Sequence, residues 1–395
     1  MKIAFFSCFS LEGGGGLAKY FIETSIGLIK LSPQSEISII VLDENYLKKI
    51  RILLSIYYFK DLAKGKFIIE KTANIINKLG EVEYIKCSSL KCLKDKLKKY
   101  DVIYSKNEIL EAFILKYLIG YYNLPPIIFG CHTPIYYPIA KSFHAKLHNF
   151  LYNGFVYKFL AGNISKFHVT NNFDLKTLKK LFPEKEVVKI YNPFNLNQFN
   201  FNLKKYKHNF NWDKSKFNIL WIGRLTPQKG VDDLIKIIDT LNKTNYKDEI
   251  IWNIVGDGAE RNKILHLKNR WNNVNYFGYV ENNYMASIYK ENDLFISTSK
   301  WESFPYNILE AQARGIPVIA FNIPGPKDII ENKITGFLVD NENDFVQKIT
   351  SLLDKGEKIS REKIIKNTMN KFNSKKIYIE LKKMLTHINN INVKD

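Results

Sequence analysis

Short apolar segments of strand length alternate with amphipathic segments through the first half of the chain. The apolar runs Ile3–Phe9 and Ile37–Leu42 flank Leu17–Leu31, whose apolar positions recur with helical spacing. Helical patterns also cover Asn107–Leu118 and Ser142–Leu160. The other predicted strands of this half are Val82–Ile85, Val102–Tyr104, Ile127–Phe129, Phe167–Val169 and Val187–Ile190. Strands that alternate with helices in this way indicate a parallel sheet covered on both faces.

The same alternation restarts after Tyr191–Ser215, a segment rich in Asn, Phe and Lys that lacks regular periodicity. The predicted strands of the second series are Asn218–Ile222, Ile250–Val255, Val274–Phe277, Asp293–Ser297, Pro317–Phe321 and Phe337–Val339. The pattern predicts an α/β protein of two doubly wound, Rossmann-like domains that face each other across a cleft. We place the domains at 1–205 and 206–370, with a C-terminal helix in 371–395 that packs back towards the first. Such sheets bind ligands at the carboxyl ends of their strands.

The composition is that of a soluble globular protein, with 46% hydrophobic residues, 25% charged residues and a formal net charge of +20. Nucleic acid, an anionic membrane surface and an acidic substrate are each candidate partners for this charge. Arginine supplies only six of the 59 basic residues, which argues against specific reading of bases, because that relies on arginine forks. The alternative is that much of the excess is solvated lysine without a function.

The four cysteines show no C-x-x-C spacing, which disfavours a structural zinc site and indicates free thiols in a reducing compartment. No apolar run reaches the ~18 residues that a membrane span needs. The apolar run after Lys2 leads into glycines and not into a small-residue cleavage site, so we interpret it as a first strand and not as a signal peptide. The expected location is the cytoplasm.

Glycines 13–16 lie between the first predicted strand and the first predicted helix. Consecutive glycines let backbone N–H groups approach an anion closely, and the helix N-terminus adds favourable dipole charge. The spacing fits neither the dinucleotide fingerprint nor the P-loop. A flexible turn is the alternative interpretation.

Two cations flank the loop that follows the first strand of the second series. Arg224 comes directly after Gly223, and Lys229 precedes Gly230 at the start of a helical segment. Two positive charges beside a helix N-terminus can neutralise a diphosphate. The chain contains no Asp-x-Asp triplet that would bridge a metal ion, so we predict a metal-independent site. Two solvated side chains are the alternative.

Two glutamates follow a buried strand of the second series. Glu302 lies in the loop after the strand, and Glu310 lies in the helix for which Pro305 suits the first turn and Gly315 the end. A carboxylate accepts two hydrogen bonds side by side, which matches the adjacent hydroxyls of a ribose. For an arbitrary pair of glutamates, two surface residues on a short helix would be the better interpretation.

In order and spacing, these segments resemble the retaining GT-B glycosyltransferases of family 4. The resemblance is dense from about residue 217 to 340 and thinner in the first half. It rests on the Gly-Arg-x5-Gly loop at Gly223, Gly256-Asp257-Gly258, Phe277–Val280, the Glu-x7-Glu segment at Glu302, Gly325–Ile330 and Thr335–Phe337. It implies the GT-B fold and transfer of a hexosyl group from a nucleoside-diphosphate sugar with retention of anomeric configuration.

The resemblance also assigns roles to residues. Arg224 and Lys229 would hold the donor diphosphate, Glu310 the ribose, and Glu302 would face the transferred sugar. His132 matches the family's active-site histidine, although a lone histidine after a strand is more often structural; with Glu302, Arg224 and Lys229 it makes up the predicted catalytic set. The further donor-binding residues implied are Gly15, Gly16, Gly223, Gly256, Tyr279, Val280, Phe304 and Asn307.

The predicted protein is therefore a hexosyltransferase that needs neither metal nor cofactor. Its expected donor is a UDP-sugar in preference to GDP-mannose, and its expected acceptor is a growing cell-surface polysaccharide or a lipid-linked oligosaccharide. Aromatic and basic residues interleave from Ile135 to Lys158. This pattern predicts peripheral docking at the anionic cytoplasmic face of the inner membrane. A core helix with a solvated lysine face is the alternative.

Two other classes of protein share the basic charge and the domain pattern. One is a nucleic-acid-binding or DNA-modifying protein with GT-B-like architecture, which would lose duplex binding steeply as salt rises. The other is a catalytically silent sugar-binding protein, which would not hydrolyse a sugar nucleotide.

Overall fold

The chain divides into two compact units. A computed structural model describes residues 1–8, 16–43, 45–46, 81–137, 143–195, 213–356 and 359–387. One unit comprises Met1–Pro193 with Ser374–Asp395, and the other comprises Phe194–Asn373. The predicted boundary between 205 and 206 falls outside the described residues, as does most of the predicted hinge, Tyr191–Ser215.

The N-terminal unit contains a seven-stranded, wholly parallel sheet in the order β3-β2-β1-β4-β5-β6-β7. The five inner strands are almost entirely buried because helices cover both faces, whereas each edge strand, β3 and β7, buries a single residue. Each strand of the sheet lies within two residues of its predicted bounds. The strands are β1 (Lys2–Ser7), β2 (Glu36–Leu42), β3 (Glu83–Cys87), β4 (Val102–Lys106), β5 (Ile127–Cys131), β6 (Lys166–Val169) and β7 (Glu186–Lys189).

Between Met1 and Pro193, the described α-helices are α1 (Gly16–Leu31), α2 (Leu90–Leu97), α3 (Ile109–Phe113), α4 (Phe143–Asn153), α5 (Phe155–Ala161) and α6 (Asn172–Leu181). A π-helical turn, Ile114–Ile119, continues α3, and a 3₁₀ turn, Tyr121–Asn123, follows it. The prediction of one helix over Ser142–Leu160 is wrong, because extended backbone at Gly154 (φ −98°, ψ 177°) separates α4 from α5. A glycine inside a helical pattern weakens it, and here the helix ends.

The C-terminal unit contains a six-stranded parallel sheet in the order β10-β9-β8-β11-β12-β13. Trp221, Trp252 and Ile296 lie in its hydrophobic core. The strands are β8 (Phe217–Ile222), β9 (Ile250–Val255), β10 (Val274–Gly278), β11 (Leu294–Ser297), β12 (Val318–Phe321) and β13 (Gly336–Val339). The α-helices are α7 (Val231–Leu241), α8 (Arg261–Arg270), α9 (Asn282–Lys290), α10 (Tyr306–Ala313), α11 (Pro326–Ile329), α12 (Glu342–Lys355) and α13 (Arg361–Lys371).

A last helix, α14 (Ser374–Thr386), lies on the N-terminal unit. Its buried face, which includes Ile377 and Leu381, shares a core with Phe5 and Phe21. The ring of Tyr378 lies so close to α1 that a Cβ at Gly27 would be 2.1 Å from it. Glycine at this position therefore lets the two helices approach. None of the described helices combines the length and apolarity that crossing a bilayer requires.

Candidate functional site

Two loops of the C-terminal unit meet where the strand order of its sheet reverses. The sheet runs outwards from β8 to β9 on one side and from β8 to β11 on the other. The loops after β8 and β11 therefore leave adjacent strands at the same sheet edge. This is the switch point at which open α/β sheets bind ligands.

Lys229 and Glu302 form an ion pair across this switch point. The Lys229 ammonium donates a hydrogen bond to the Glu302 carboxylate, and both side chains are largely buried, 15% and 10% exposed. The Thr298 hydroxyl fixes the loop because it donates to the Lys229 carbonyl at 2.8 Å. Gly230, with φ +66°, permits the approach, since a Cβ there would lie 2.0 Å from the Thr298 carbonyl oxygen. The backbone of Lys229 is thus fixed next to the loop that carries Glu302.

Arg224 lies exposed at the start of the same loop. Its guanidinium is 3.5 Å from the Gln228 side-chain oxygen, and the Gln228 amide donates to the Trp301 carbonyl at 3.2 Å. Within the described parts of the chain, no carboxylate pairs with Arg224. The loop therefore presents a positive charge that is free to meet an anion.

Glycine turns join the loops after β8, β9 and β10. The Gly223 N–H donates to the Val255 carbonyl at 3.1 Å, and the Gly256 N–H donates to the Gly278 carbonyl at 2.7 Å. Gly256, with φ +134°, has no room for a side chain, because a Cβ would lie 1.8 Å from the Gly223 oxygen. Beyond the third turn, Tyr279 is half exposed and Val280 is buried. The turns therefore set the position of the Arg224 loop.

Helix α10 carries the second glutamate. The Tyr289 hydroxyl lies 3.0 Å from a Glu310 carboxylate oxygen, to which it can donate. The Asn307 amide donates to the Ile222 carbonyl at 2.9 Å, which ties the start of α10 to the end of β8. Phe304 is buried in the turn ahead of the helix. Sequence reasoning missed Tyr289, because its partner lies 21 positions away on another helix.

His132 directly follows β5 in the N-terminal unit. Its Nε2 lies 2.9 Å from the Tyr104 hydroxyl, and its ring contacts that of Tyr20 on α1 at 4.0 Å between centroids. Burial holds the pKa of His132 well below its usual value, with smaller contributions from the charges of His168 and Lys106. His132 is therefore a neutral imidazole at physiological pH.

Gly16 is the first residue of α1, and a Cβ there would meet no atom of the described residues within 4 Å. Packing therefore does not require glycine at this position. Gly15 lies outside the described residues. Gly16 and His132 belong to the N-terminal unit, and the other described candidates belong to the C-terminal unit.

A buried charged cluster at the end of β4 also escaped the sequence analysis. Lys106 and Glu108 form an ion pair of 2.9 Å, and the Glu111 carboxylate accepts from the Cys8 N–H at 3.1 Å. Burial raises the pKa of Glu111 to about 7. Across the described segments, no group of three or more His, Cys, Asp and Glu side chains is arranged to hold a metal ion.

Comparison with protein families identifies the part of the chain that carries this loop constellation. Residues 203–371 match the family described as glycosyl transferases group 1. The match contains Arg224, Lys229, Glu302 and Glu310 and coincides closely with the C-terminal unit. The matched segment thus contains the two loops that meet at the switch point.

Two curated relatives each match 36% of the chain. An uncharacterized 41.2 kDa protein in the cps region of Klebsiella pneumoniae is 36% identical over 141 residues, 36% of this chain and 37% of that protein. An Escherichia coli UDP-Gal:alpha-D-GlcNAc-diphosphoundecaprenol alpha-1,3-galactosyltransferase is 31% identical over 150 residues, 36% of this chain and 38% of that one. The chain therefore matches less than two fifths of the length of either relative.

Solved structures match over nearly the whole chain. The crystal structure of Anabaena HepE in complex with UDP and glucose superimposes with a TM-score of 0.71 over 98% of this chain and 99% of HepE, at 16% identity. At this identity the likeness establishes the fold alone. The chain has the predicted α/β architecture with two parallel sheets, in the GT-B class.

Proposed function

We propose that the protein is a retaining glycosyltransferase of family 4 that transfers a hexosyl group from a UDP-sugar to a hydroxyl of a growing cell-surface glycan or lipid-linked oligosaccharide. The observation that carries the proposal is the switch-point constellation of Arg224, Lys229, Glu302 and Glu310 inside the group 1 match. The UDP-Gal-dependent relative and the UDP complex of HepE support a uridine donor. The diphosphoundecaprenol in the relative's name supports a lipid-linked acceptor.

The chemistry required of the site is stabilisation of the departing diphosphate. Breaking the anomeric C–O bond leaves negative charge on the diphosphate, and preorganised cations lower that barrier most effectively in a site sheltered from water. Arg224 and Lys229 supply two cations on one loop, so the reaction we propose needs no metal ion. Glu310, which Tyr289 orients, is the acceptor for the ribose hydroxyls.

Retention of configuration follows in this proposal from attack on the face that the diphosphate leaves. Glu302 is engaged by Lys229, one of the two cations that we assign to the diphosphate. We assign it to the transferred sugar and not to a covalent intermediate. A diphosphate oxygen takes the proton of the acceptor hydroxyl as the new glycosidic bond forms.

A thermal-shift screen of nucleotides tests the proposed function. A ligand that binds only the folded state raises the melting temperature. UDP and UDP-hexoses are expected to stabilise the protein more than GDP or GDP-mannose, and UDP-hexose is expected to be hydrolysed slowly without acceptor. Stabilisation by duplex DNA alone, with no response to any nucleotide, would contradict the proposal.

Glu302→Gln is expected to tighten UDP binding about fivefold while lowering turnover at least tenfold. In the free protein Lys229 is engaged with Glu302, and a diphosphate must compete with that carboxylate. Removing the negative charge of Glu302 from beside a bound diphosphate makes the free energy of UDP binding more favourable by about 1 kcal/mol. Calorimetric titration with UDP and initial rates measure the two effects.

The control is Asp239→Asn, which removes a carboxylate that pairs with Arg270 at 2.8 Å on the surface of the same unit. This control should change neither the affinity for UDP nor the turnover. Weaker UDP binding by Glu302→Gln would contradict the proposed competition.

Membrane docking is the localisation that we propose, at the cytoplasmic face of the inner membrane. An aromatic patch, Tyr117, Phe155 and Phe159, is exposed, and its rings touch at 5.8 and 6.0 Å between centroids. The Lys116 ammonium lies 3.9 Å from the Phe159 ring centroid, and Lys158 is exposed beside it. Aromatic rings beside lysines suit the interface of an anionic bilayer.

The structure changes which aromatic residues of Ile135–Lys158 are available for docking. Tyr152 and Tyr157 are buried in the core, and Tyr137 stacks on His148 at 4.1 Å between ring centroids. Residues 138–142 and the side chains of 143–144 lie outside the described residues. The core-helix interpretation is thus correct for Tyr152 and Tyr157, whereas Phe150 and Phe155 are exposed.

Vesicle flotation tests the docking surface. The protein is expected to float with vesicles containing phosphatidylglycerol and not with pure phosphatidylcholine. The double variant Phe155→Ser/Phe159→Ser should bind at least tenfold more weakly, because two apolar rings no longer enter the interface. Met369→Ser, which removes an exposed apolar side chain of the other unit, is the control. Flotation unaffected by the double variant would exclude the patch.

A further inference from the structure

A chain of hydrogen bonds runs from the backbone of Ile190 to His132. The His168 Nε2 lies 2.8 Å from the Ile190 carbonyl oxygen, and its Nδ1 lies 2.6 Å from the Tyr104 hydroxyl. The same hydroxyl lies 2.9 Å from the His132 Nε2. These hydrogen bonds cross the sheet from the end of β7, through side chains on β6 and β4, to the residue after β5. Both His168 and Tyr104 are completely buried.

The carbonyl at one end determines the direction of every proton in this chain. A carbonyl oxygen only accepts, so the His168 Nε2 carries a proton and donates it. A neutral His168 then has a lone pair on Nδ1, which accepts the single proton of the Tyr104 hydroxyl. The Tyr104 hydroxyl has then used its only proton, so in its hydrogen bond with His132 it is the acceptor and the His132 Nε2–H is the donor. A neutral His132 therefore carries its proton on Nε2 and a lone pair on Nδ1.

The environment of the His132 Nδ1 agrees independently with this assignment. Nδ1 is buried and has no hydrogen-bond partner among the described residues. An N–H buried without a partner is rarer in proteins than a buried acceptor without one, so a lone pair is the favoured state at this atom. An unpartnered acceptor of this kind is suited to a hydroxyl hydrogen.

A glycine in the middle of a buried strand provides the space for these hydrogen bonds. Gly130 on β5 pairs with His168 on β6 and with Lys106 on β4. A Cβ at Gly130 would lie 2.0 Å from the Tyr104 hydroxyl oxygen. Any other residue would therefore displace that hydroxyl from between the two imidazoles. Glycine inside a strand often marks such a close approach.

We infer that Tyr104 and His168 are positioning residues that hold His132 as a neutral imidazole with its proton on Nε2 and an accepting lone pair on Nδ1. The inference rests on the proposed function for its catalytic consequence: His132 adds no positive charge at the transferred sugar and serves as an acceptor for a sugar hydroxyl. The groups facing it are Tyr20 from α1, Tyr104 from β4 and His168 from β6, with Lys106 beyond. Burial lowers the pKa of His168 to about 4, which keeps this link neutral as well.

Nitrogen-15 spectra of the histidine rings test the inference without any substrate. The chain has seven histidines, and His132→Gln and His168→Gln identify the two signals. Both rings are expected to be neutral, with the proton on Nε2, in long-range ¹H–¹⁵N correlations recorded down to about pH 5.5, one unit below the usual histidine pKa. A proton on the Nδ1 of His132, or protonation of that ring near its usual pKa, would overturn the inference.

Substitutions then separate positioning from folding. Tyr104→Phe keeps the ring and removes the hydroxyl, so the His132 Nε2–H signal should shift upfield and the ring should populate both tautomers. Tyr121→Phe is the matched control, because it removes another buried hydroxyl, 3.0 Å from the Leu160 carbonyl oxygen. The control should lower the melting temperature similarly and leave the His132 signal unchanged. An unchanged His132 signal in Tyr104→Phe would overturn the inference.

Kinetics of the same variants test the catalytic consequence. Tyr104→Phe and His168→Leu should lower kcat about tenfold with little change in the KM of the donor, as misplacement of a catalytic group does. His168→Gln should restore most of the rate, because its amide can both donate to Ile190 and accept from Tyr104. Correct tautomers without sugar-nucleotide activity would refute the proposed function and leave the hydrogen-bond chain intact. Sugar-nucleotide activity in a protein whose His132 carries its proton on Nδ1 would overturn the inference and leave the proposed function intact.

Discussion

Lys229→Ala is expected to lower the turnover of a sugar nucleotide by about 10²-fold or more, and Arg224→Ala by a similar factor. Loss of one preorganised charge at a developing anion typically has this effect, which corresponds to about 2.7 kcal/mol of transition-state stabilisation. Lys229 is the more constrained of the two, since the Thr298 hydroxyl and Gly230 fix its backbone. Initial rates with a saturating donor measure the loss.

The Lys229 variant needs a second substitution, because it leaves Glu302 largely buried without its cation. That carboxylate would itself repel a diphosphate. In Lys229→Ala/Glu302→Gln the repulsion is gone, and turnover should remain low because the missing cation is the cause. Recovery of turnover in the double variant would show that Lys229 acts only by neutralising the charge of Glu302. Lys263→Ala, which breaks surface pairs of 2.6 Å with Asp232 and Glu260, should leave turnover unchanged.

Gly256→Ala is expected to destabilise the protein by about 3 kcal/mol or more and to abolish detectable UDP binding. A Cβ at this position would lie 1.8 Å from the Gly223 oxygen, so the turn ahead of Arg224 must move. The backbone also has φ +134°, a region that costs a residue with a side chain about 1–3 kcal/mol. Urea denaturation and calorimetric titration with UDP measure the two losses.

Gly278→Ala is the matched control, because Gly256 donates its N–H to the Gly278 carbonyl and the two residues form one structure. Gly278 also has positive φ, +66°, but a Cβ there meets no atom within 4 Å. It should cost only about 1–2 kcal/mol of backbone strain and leave UDP binding nearly intact. Equal effects of the two substitutions would contradict the role of Gly256 in holding the Arg224 loop.

The strands and the helix over Leu17–Leu31 could be predicted, because burial leaves a pattern of apolar positions in the sequence. Parallel strands covered on both faces are continuous apolar runs, and this is the pattern of β5 and β12. Ser142–Leu160 was predicted as one helix because its apolar spacing continues through Gly154. The break depends on a single backbone conformation that periodicity does not report.

The position of Arg224 and Glu302 in short loops after strands could be predicted, because both follow apolar runs of strand length. The Lys229–Glu302 pair could not, since its members are 73 positions apart and meet only because β8 and β11 are neighbours. The hydrogen bonds that link Ile190 to His132 could not be predicted for the same reason, because they join residues that are far apart in the sequence. The local signal was the polar residue His168 between Phe167 and Val169 in the buried strand β6.

A crystal structure of the protein with UDP tests the central claim most directly. The account predicts that the diphosphate lies within hydrogen-bond distance of Arg224 and Lys229, that Lys229 has left Glu302, and that Glu310 accepts from both ribose hydroxyls. UDP bound away from the loops after β8 and β11, or bound there while Lys229 still engages Glu302, would contradict it.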